Sequence, residues 1–241
     1  MADLARVAIE LTSAAQGVRA GVLDRLCEAC VRTLPVDGAA ISMMTGPGRP
    51  VARSASSRQV AGLEELQFTL GEGPGMAAFT LGEPVTVADL YRPDSRWPVF
   101  AAQAATVTSA AGCPLRAVYA FPLALGRVPL GVLDLYRSEP SDLDPELDEQ
   151  ARLAVDTVAL VLAGTAGRPT GGGPGADWLH DSLLDQVEVD QAVGMAMVQL
   201  GVASDEALAR LRGYAFAHGL TMSEVASAIV GRTLRLSRGE Q

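Results

Sequence analysis

A stretch rich in glycine and proline divides the chain into two parts of unequal length. It runs from Gly164 to Ala176 and holds six glycines and two prolines, which offer little side chain for packing and do not continue a helix. We therefore predict a first domain at residues 1–165, a linker at 166–176 and a second domain at 177–238. Both domains are long enough to bury a hydrophobic core.

The charged residues exclude several kinds of chemistry. The 241 residues hold 28 acidic and 19 basic side chains, a net charge of −9, and every basic residue is an arginine. The absence of lysine excludes a Walker-type phosphate loop, a Schiff base and a lysine general base. The net negative charge disfavours an extended basic surface that binds nucleic acid, although a local basic patch is still compatible with it.

The cysteines and the absence of targeting patterns bear on metal chemistry and on the compartment. Cys27 and Cys30 fall on one face of a helical pattern, so we predict that both are buried, small hydrophobic side chains. With Cys113 they form neither a disulfide framework nor a zinc-binding pattern, and we predict no metal or other cofactor. The sequence shows no signal-peptide pattern and no long apolar run, which predicts a cytoplasmic protein that does not associate with a membrane.

The hydrophobic pattern of the first domain predicts an α+β fold. Strand pairs joined by tight turns, with helices at both ends, indicate an antiparallel sheet with helices on one face. Strands are predicted at 38–44, 50–56, 84–88, 117–123 and 128–136, and helices at 4–34, 57–68, 94–112 and 144–163.

The second domain is predicted to be an all-α three-helix bundle. Gly201 and Gly219 end the first two helical patterns. Ser204 is the predicted N-cap of the second helix. Thr221 and Glu224 have the spacing of a capping box at the start of the third helix. The three helices are predicted at 177–200, 205–218 and 222–236.

Four motifs of the first domain resemble those of a known family. They are Leu70-Gly-Glu-Gly-Pro-Gly75, Pro84-Val-Thr-Val-Ala-Asp-Leu90, Arg116-Ala-Val-Tyr-Ala-Phe-Pro-Leu123 and Gly131-Val-Leu-Asp-Leu-Tyr136. In this order they make residues 17–163 similar to GAF domains, which are small-molecule sensory modules. The resemblance implies a pocket between the sheet and its covering helices, for a small-molecule ligand that the sequence does not identify.

The resemblance also suggests which residues form the pocket. The glycine loop supplies Gly73 and Gly75, whose backbone freedom suits a pocket wall, and Glu72 and Asp89 are the polar groups of the matching motifs. Phe121 completes the predicted set. The alternative interpretation makes Glu72 a helix-capping acid and Asp89 a turn acid at the end of a strand.

The second domain resembles another family. Its motifs are Val189-Asp-Gln-Ala-Val-Gly-Met195, Ser204-Asp-Glu-Ala207, Leu211-Arg212, Tyr214-Ala215, Val225-Ala226 and Ile229-Val230. They are similar to the ANTAR domain, a three-helix RNA-binding module of bacterial antitermination regulators. The GAF–ANTAR order is itself a recurring regulator layout, and the alanine-rich, all-arginine composition is typical of a GC-rich genome of the actinobacterial type.

The charges of the second domain are strongly polarised. Residues 177–206 hold seven acids and no base, whereas residues 207–241 hold five arginines and two glutamates. RNA binding needs cations for phosphates and groups that contact bases. We therefore predict RNA contacts at Arg210, Arg212, Arg232, Arg235 and Tyr214. The alternatives are a solvated charged face for the arginines and core packing for Tyr214.

The sequence departs from the usual ANTAR pattern at two positions. Gln186 and Val193 stand where the family often has cations, which weakens the predicted RNA-binding face. An alternative function follows: a ligand-sensing dimerisation or protein-interaction module whose RNA-binding face has degenerated.

The resemblance implies a signal-responsive regulator that promotes transcription antitermination by stabilising RNA stem-loops. No arrangement of acid, base and nucleophile suggests an enzyme. Apolar stripes predict a homodimer, which would present two RNA-binding bundles. The stripes consist of Leu153, Leu160 and Val161 in the first domain and Leu179, Leu183 and Val187 in the second. Packing within one chain is the alternative for both stripes.

Overall fold

The computed structural model describes residues 2–16, 21–46, 48–109, 114–166 and 177–236. Cys113 and most of the predicted linker lie outside these ranges. For residues 177–186 only the backbone is described, so the predicted roles of Leu179, Leu183 and Gln186 also lie outside the described side chains.

The N-terminal domain contains six helices and five strands within the described residues. In chain order they are α1 (Ala2–Ala14), α2 (Val22–Thr33), β1 (Gly38–Gly46), β2 (Arg49–Ala55), α3 (Arg58–Leu70), α4 (Pro74–Leu81), β3 (Val85–Val87), α5 (Pro98–Ser109), β4 (Ala117–Leu125), β5 (Val128–Arg137) and α6 (Pro145–Ala166).

The five strands form one antiparallel sheet in the order β2-β1-β5-β4-β3. Two hairpins, β1–β2 and β4–β5, join through the pairing of β1 with β5, in which Ile41 lies opposite Leu133. The α+β architecture with an antiparallel sheet is therefore confirmed. Strand β2 is one edge of the sheet.

Helices cover both faces of this sheet, so the expectation of helices on one face is wrong. Leu133 and Leu135 of β5 pack in a core with α1, α2 and α6, whereas Val132 and Tyr136 pack in a second core with α3, α4 and α5. Residues 117–121 of β4 are all buried. Such a continuous apolar strand is typical of a sheet covered on both sides.

Glycine and proline account for the differences in helix boundaries. The pattern at 4–34 forms two helices, and Gly21 precedes the second with a φ of +67°. Helix α4 was not predicted, although Pro74 occupies its first turn, where the missing N–H costs nothing.

Cys27 and Cys30 are both fully buried on α2, as predicted. Burial raises the pKa of Cys30 to about 12, and burial also raises the pKa of Cys27, so both stay as neutral thiols.

The C-terminal domain consists of α7 (Asp177–Leu200), α8 (Ser204–His218) and α9 (Met222–Val230). The capping box of Thr221 and Glu224 is confirmed. Ala203, and not Ser204, occupies the N-cap position of α8. The third helix ends six residues earlier than predicted, because Gly231 follows it and Arg232 takes a left-handed φ of +59°.

No helix among the described residues is both long and apolar enough to cross a membrane.

Candidate functional site

A cluster of buried polar side chains lies between the sheet and helix α3. It contains Glu64 and Gln67 of α3 together with Ser42, Asp134 and Tyr136 of the sheet. Tyr136 donates its hydroxyl hydrogen to Glu64 Oε1 at 2.6 Å, and Ser42 donates to Glu64 Oε2 at 3.2 Å. Gln67 Nε2 donates to Glu64 Oε1 at 3.3 Å and to Asp134 Oδ2 at 3.4 Å.

The two carboxyl groups of this cluster are unusual because no cation of the described residues lies within ion-pair distance of them; the nearby Arg53 pairs with Glu65 at 2.8 Å instead. Glu64 is 7% exposed and Asp134 is 2% exposed, and neither forms an ion pair within the described part of the chain. Burial, followed by the charge of Glu64, raises the pKa of Asp134 well above its usual range. Burial and Glu64 likewise raise the pKa of Tyr136. Asp134 Oδ1 has no hydrogen-bond partner among the described residues.

The glycine loop between α3 and α4 forms one wall of the cluster. The backbone N–H of Gly75 donates to Gln67 Oε1 at 2.8 Å. A Cβ on Gly75 would lie 2.6 Å from Asp134 Oδ2, and one on Gly73 would lie 2.6 Å from Gln67 Oε1. Gly73 also has a φ of +139°, which side chains rarely adopt. The loop therefore requires glycine at both positions, and the structure places both beside the polar cluster.

The other predicted pocket residues lie elsewhere. Glu72 Oε1 accepts hydrogen bonds from the N–H groups of Val99 and Phe100 at 3.0 and 2.9 Å, so this carboxylate caps α5. Asp89 receives two hydrogen bonds from Arg116, each of 2.9 Å. Its structural role is a turn at the end of β3.

Phe121 is the clearest departure from the predicted pocket. Side chains alternate between the two faces of a strand, and Phe121 points into the core formed with α1, α2 and α6. Asp134 lies on the opposite face of the sheet, with Val132 and Tyr136. Phe121 is therefore removed from the set of residues that could contact a ligand beside Asp134.

The C-terminal domain packs against the N-terminal domain beside this cluster. Arg212 of α8 donates from Nη2 to the carbonyl of Gly48 at 2.9 Å and from Nε to the carbonyl of Phe68 at 3.2 Å. Burial, followed by the nearby charge of Arg49, lowers the pKa of Arg212. A Cβ on Gly71 would lie 2.6 Å from the guanidinium, so this glycine lets Arg212 approach the backbone.

Phe68 connects the polar cluster with the C-terminal domain. Its ring is 2% exposed and belongs to an apolar cluster whose other buried members all come from α7, α8, α9 and the segment that follows α9. Met76 of α4 packs against this cluster and also against the core that contains Tyr136. Phe68 and Met76 therefore link the interior of one domain with that of the other.

A cleft of about 230 Å³ lies along the same boundary. Its lining includes Arg53 of β2, Phe68 of α3, Val189 of α7 and Ser223 of α9. The Arg53 guanidinium lies 4.7 Å from the centre of the Phe68 ring. A second polar contact across the boundary joins Arg49 Nη2 to Ser204 Oγ at 2.9 Å and to Asp205 Oδ1 at 3.0 Å.

Two family models match the chain in succession. The model of the GAF domain matches residues 19–163, which is more than half of the chain, and the model of the ANTAR domain matches residues 178–230. The chain belongs to the GAF domain family. It carries an ANTAR domain behind the GAF domain, which is the layout of a GAF–ANTAR regulator. GAF is a ligand-sensing domain and ANTAR is an RNA-binding antitermination module, and neither is a catalytic domain.

Solved structures of GAF domains match the chain at low sequence identity. The GAF domain from Acinetobacter phosphoenolpyruvate-protein phosphotransferase matches with a TM-score of 0.50 and 13% identity, over 71% of this chain and 96% of that one. The GAF domain of the corresponding Coxiella burnetii protein matches with a TM-score of 0.49 and 15% identity, over 68% and 95%. The first likeness shows the fold alone. No curated protein matches the chain.

The predicted RNA-binding residues of the ANTAR domain do not share one environment. Arg210 is exposed and pairs with Glu206 at 3.4 Å. Arg232 and Arg235 are exposed in the segment that follows α9, and not on the helix itself. Tyr214 is half-buried, and its ring stacks on that of His218 with centres 3.9 Å apart. Arg212 is the exception, because the GAF domain holds it.

Val193 does not lie on an open surface. It is 7% exposed and packs in the apolar cluster of the ANTAR helices. The expectation that this residue removes a cation from an exposed RNA-binding face is therefore wrong for the packed arrangement of the two domains.

The sequence does not predict any of the five residues of the polar cluster, Ser42, Glu64, Gln67, Asp134 and Tyr136, as site residues. One signal was available: Asp134 is a single acid inside the apolar strand 128–137, where a buried charge is rare. The contribution of α3 had no such signal, because Glu64 and Gln67 read as ordinary polar positions of an amphipathic helix.

Proposed function

We propose that this protein is a signal-responsive RNA-binding regulator that promotes transcription antitermination by stabilising RNA stem-loops. The observation that carries the proposal is the position of Arg212. This cation of the ANTAR domain donates to two backbone carbonyls of the GAF domain, so the packed GAF domain occupies a residue that RNA phosphates would attract. A ligand that binds the GAF domain then changes how many of the ANTAR arginines are exposed to RNA.

The regulation is a shift between two populations of one protein. In the packed state Arg212 is engaged, whereas Arg210, Arg232 and Arg235 remain exposed. In the separated state Arg212 is also exposed, and all four arginines can contact phosphates and bases. RNA that uses Arg212 binds the separated state more tightly and shifts the population towards it. A stabilised antiterminator stem-loop then prevents the competing terminator from forming.

A homodimer belongs to the same proposal, since it would present two ANTAR domains to paired stem-loops. Leu160 of α6 and Ile9 of α1 are large apolar side chains that are 65% and 63% exposed, and their two helices pack against each other. Leu153 and Val161 are partly buried in the GAF core, and Val187 of α7 is 54% exposed. The α1–α6 surface is therefore the proposed site of dimerisation.

Selection from a randomised stem-loop RNA library tests the proposal. The full-length protein, the Arg49→Ala variant and an Arg210→Ala/Arg235→Ala double variant are each used to capture RNA, which is then sequenced. We expect paired stem-loops to be enriched by the first two proteins and not by the double variant. Arg127→Ala is the matched control, because Arg127 is an exposed arginine on the β4–β5 turn of the GAF domain.

A selected stem-loop placed before a terminator then measures the activity itself. Transcription in vitro should read through the terminator more often when the protein is present. Equal recovery of RNA by all four proteins would contradict RNA binding through these arginines. That result would favour the alternative function, a protein-interaction module whose RNA-binding face has degenerated.

A further inference from the structure

The polar cluster of the GAF domain has an excess of acceptors over donors. All the groups that donate to Glu64 and Asp134 are neutral: the hydroxyls of Tyr136 and Ser42 and the amide of Gln67. Asp134 keeps its proton and shares it with Glu64, so the buried pair retains a single negative charge, and a buried charge costs free energy unless a cation lies beside it. Asp134 Oδ1 accepts no hydrogen bond from any described residue, although it is almost fully buried.

A small pocket lies beside these groups. The pocket is lined by Ser42, Gln67, Gly75 and Asp134, with Val132 and Met76 as apolar walls. Its volume is about 10 Å³, enough for about one water molecule. Because Gly75 has no Cβ, this space stays open next to Asp134 Oδ2.

We propose that the pocket between Asp134 and Glu64 binds the protonated amino group of a small primary amine. An ammonium head is compact and carries three donors and no acceptor, which complements the free Asp134 oxygen and the carboxylate of Glu64. A metal ion is less suitable, because no group of three or more His, Cys, Asp or Glu side chains in the described part of the chain could hold one.

The carbon chain of the amine would lie in the cleft at the domain boundary. The pocket shares Pro50, Arg53, Glu64 and Phe68 with the cleft of about 230 Å³ at the domain boundary. Phe68 and Val189 give this cleft an apolar surface. A ligand whose head lies at Asp134 can therefore extend its carbon chain past Phe68 into the cleft.

Amine binding and domain packing oppose each other, and this part of the inference rests on the proposed function. The pocket is too small for a head group with an attached chain unless Phe68 or Met76 moves. Phe68 is buried among ANTAR side chains, and its carbonyl accepts a hydrogen bond from Arg212. The amine therefore favours the separated state and raises the affinity for RNA. By thermodynamic linkage, RNA raises the affinity for the amine by the same factor.

Isothermal titration calorimetry of the full-length protein with butylammonium, in the absence of RNA, tests the pocket. We expect saturable binding to the wild type and to Glu83→Gln, an exposed acid that serves as the control, and at least tenfold weaker binding to Asp134→Asn and Glu64→Gln. Butanol, which has no charge, and tetramethylammonium, which has no donor, should not bind. Equal binding of butylammonium to all four proteins, or no saturation with the wild type, would overturn the proposal.

A second measurement does not depend on the folding of any variant. In amide NMR spectra of the wild type, butylammonium should shift the signals of Gly73 and Gly75, and butanol should leave them unchanged. Shifts confined to other regions would contradict the proposed location. Saturable amine binding at Asp134 without any change in RNA affinity would support the pocket and contradict only its coupling to RNA binding. Failure of the pocket and failure of the coupling can therefore be distinguished.

Discussion

Arg212 donates its Nε hydrogen to the backbone carbonyl of Phe68 across the boundary between the two domains, at 3.2 Å. Its partner residue is buried in the apolar cluster of the ANTAR helices. The ANTAR domain therefore places its cation Arg212 against the GAF domain, and the GAF domain places the ring of Phe68 among the ANTAR helices. The energy of domain packing depends on both, and the first two predictions follow from this arrangement.

Arg49→Ala is expected to raise the affinity for RNA. The change removes the hydrogen bonds to Ser204 and Asp205 and leaves every ANTAR residue intact. An exposed pair of this kind contributes up to about 1 kcal/mol, so the RNA dissociation constant should fall by up to about fivefold. Fluorescence anisotropy with a selected stem-loop measures it. The prediction fails if Arg49→Ala binds RNA no more tightly than Arg127→Ala.

Gly71→Ala should separate the domains, whereas Gly82→Ala should not. Both glycines end a helix with a φ of +69°, so the backbone strain of about 1–2 kcal/mol is common to the two variants. Only at Gly71 would the new Cβ meet the Arg212 guanidinium, because a Cβ on Gly82 has open space around it. Hydrogen exchange of α8 should accelerate in Gly71→Ala alone. Identical exchange in both variants would show that the contact does not hold the domains together.

Arg235→Ala and Arg210→Ala should weaken RNA binding and reduce its salt dependence. Each variant removes one exposed cation of the ANTAR domain. The slope of log K against log salt should decrease in magnitude by about 0.7 for each RNA phosphate that the variant no longer neutralises. Titrations at four salt concentrations provide the slopes. An unchanged slope for both variants would assign the RNA contact to other residues.

Asp134→Asn is expected to change the pH dependence of stability. The folded protein keeps the proton of Asp134 at pH values where the unfolded chain, with a pKa of about 3.9, has lost it. Stability therefore falls as the pH rises from about 4 towards the raised pKa of the folded state. Glu64, Tyr136 and Arg53 are the ionisable groups that line this region.

Asn cannot ionise, so Asp134→Asn should lose that part of the decline and melt at a higher temperature than the wild type at pH 8. Thermal unfolding between pH 4 and pH 8 measures this difference, with Glu83→Gln as the reference. Parallel pH profiles for Asp134→Asn and the wild type would mean that Asp134 is ionised in the folded protein.

Leu160→Glu should convert a dimer into a monomer without loss of folding. The side chain is largely exposed on α6, so a charge there costs little in the single chain and much in a shared apolar interface. Analytical ultracentrifugation of the wild type and of Leu160→Glu compares their masses. Equal masses would place the dimer contact elsewhere or exclude a dimer.

Local patterns predicted most of the elements, because their causes are local. The capping box of Thr221 and Glu224 lies within four residues, and its geometry follows from their spacing. The short helix α4 was missed because the glycines before it suggested a loop, although Pro74 suits a first turn.

The site was less predictable, since it depends on contacts between distant residues. The glycine loop indicated one wall of the pocket, but the partners of Asp134 lie 67 and 70 positions away, at Gln67 and Glu64. Phe121 and Asp134 both come from the motifs that resemble GAF domains. Phe121 lies opposite Leu133, the neighbour of Asp134 on β5, and neighbouring side chains of a strand point to opposite faces, so Phe121 and Asp134 lie on opposite faces of the sheet. No pattern within the ANTAR domain could show that Gly48 and Phe68 hold Arg212.

Packing of the ANTAR domain also covers β2, an edge strand of the GAF sheet. Strand β2 has a strand partner on only one side, and α7 of the ANTAR domain packs against it. Open strand edges pair readily with other chains, and proline and charged side chains such as Pro50, Arg49 and Arg53 are common protection against this. In the proposed separated state, these residues are the only protection of the edge that we identify among the described residues. The activated regulator is therefore the form that we expect to be less soluble, and bound RNA or rapid return to the packed state would limit its aggregation.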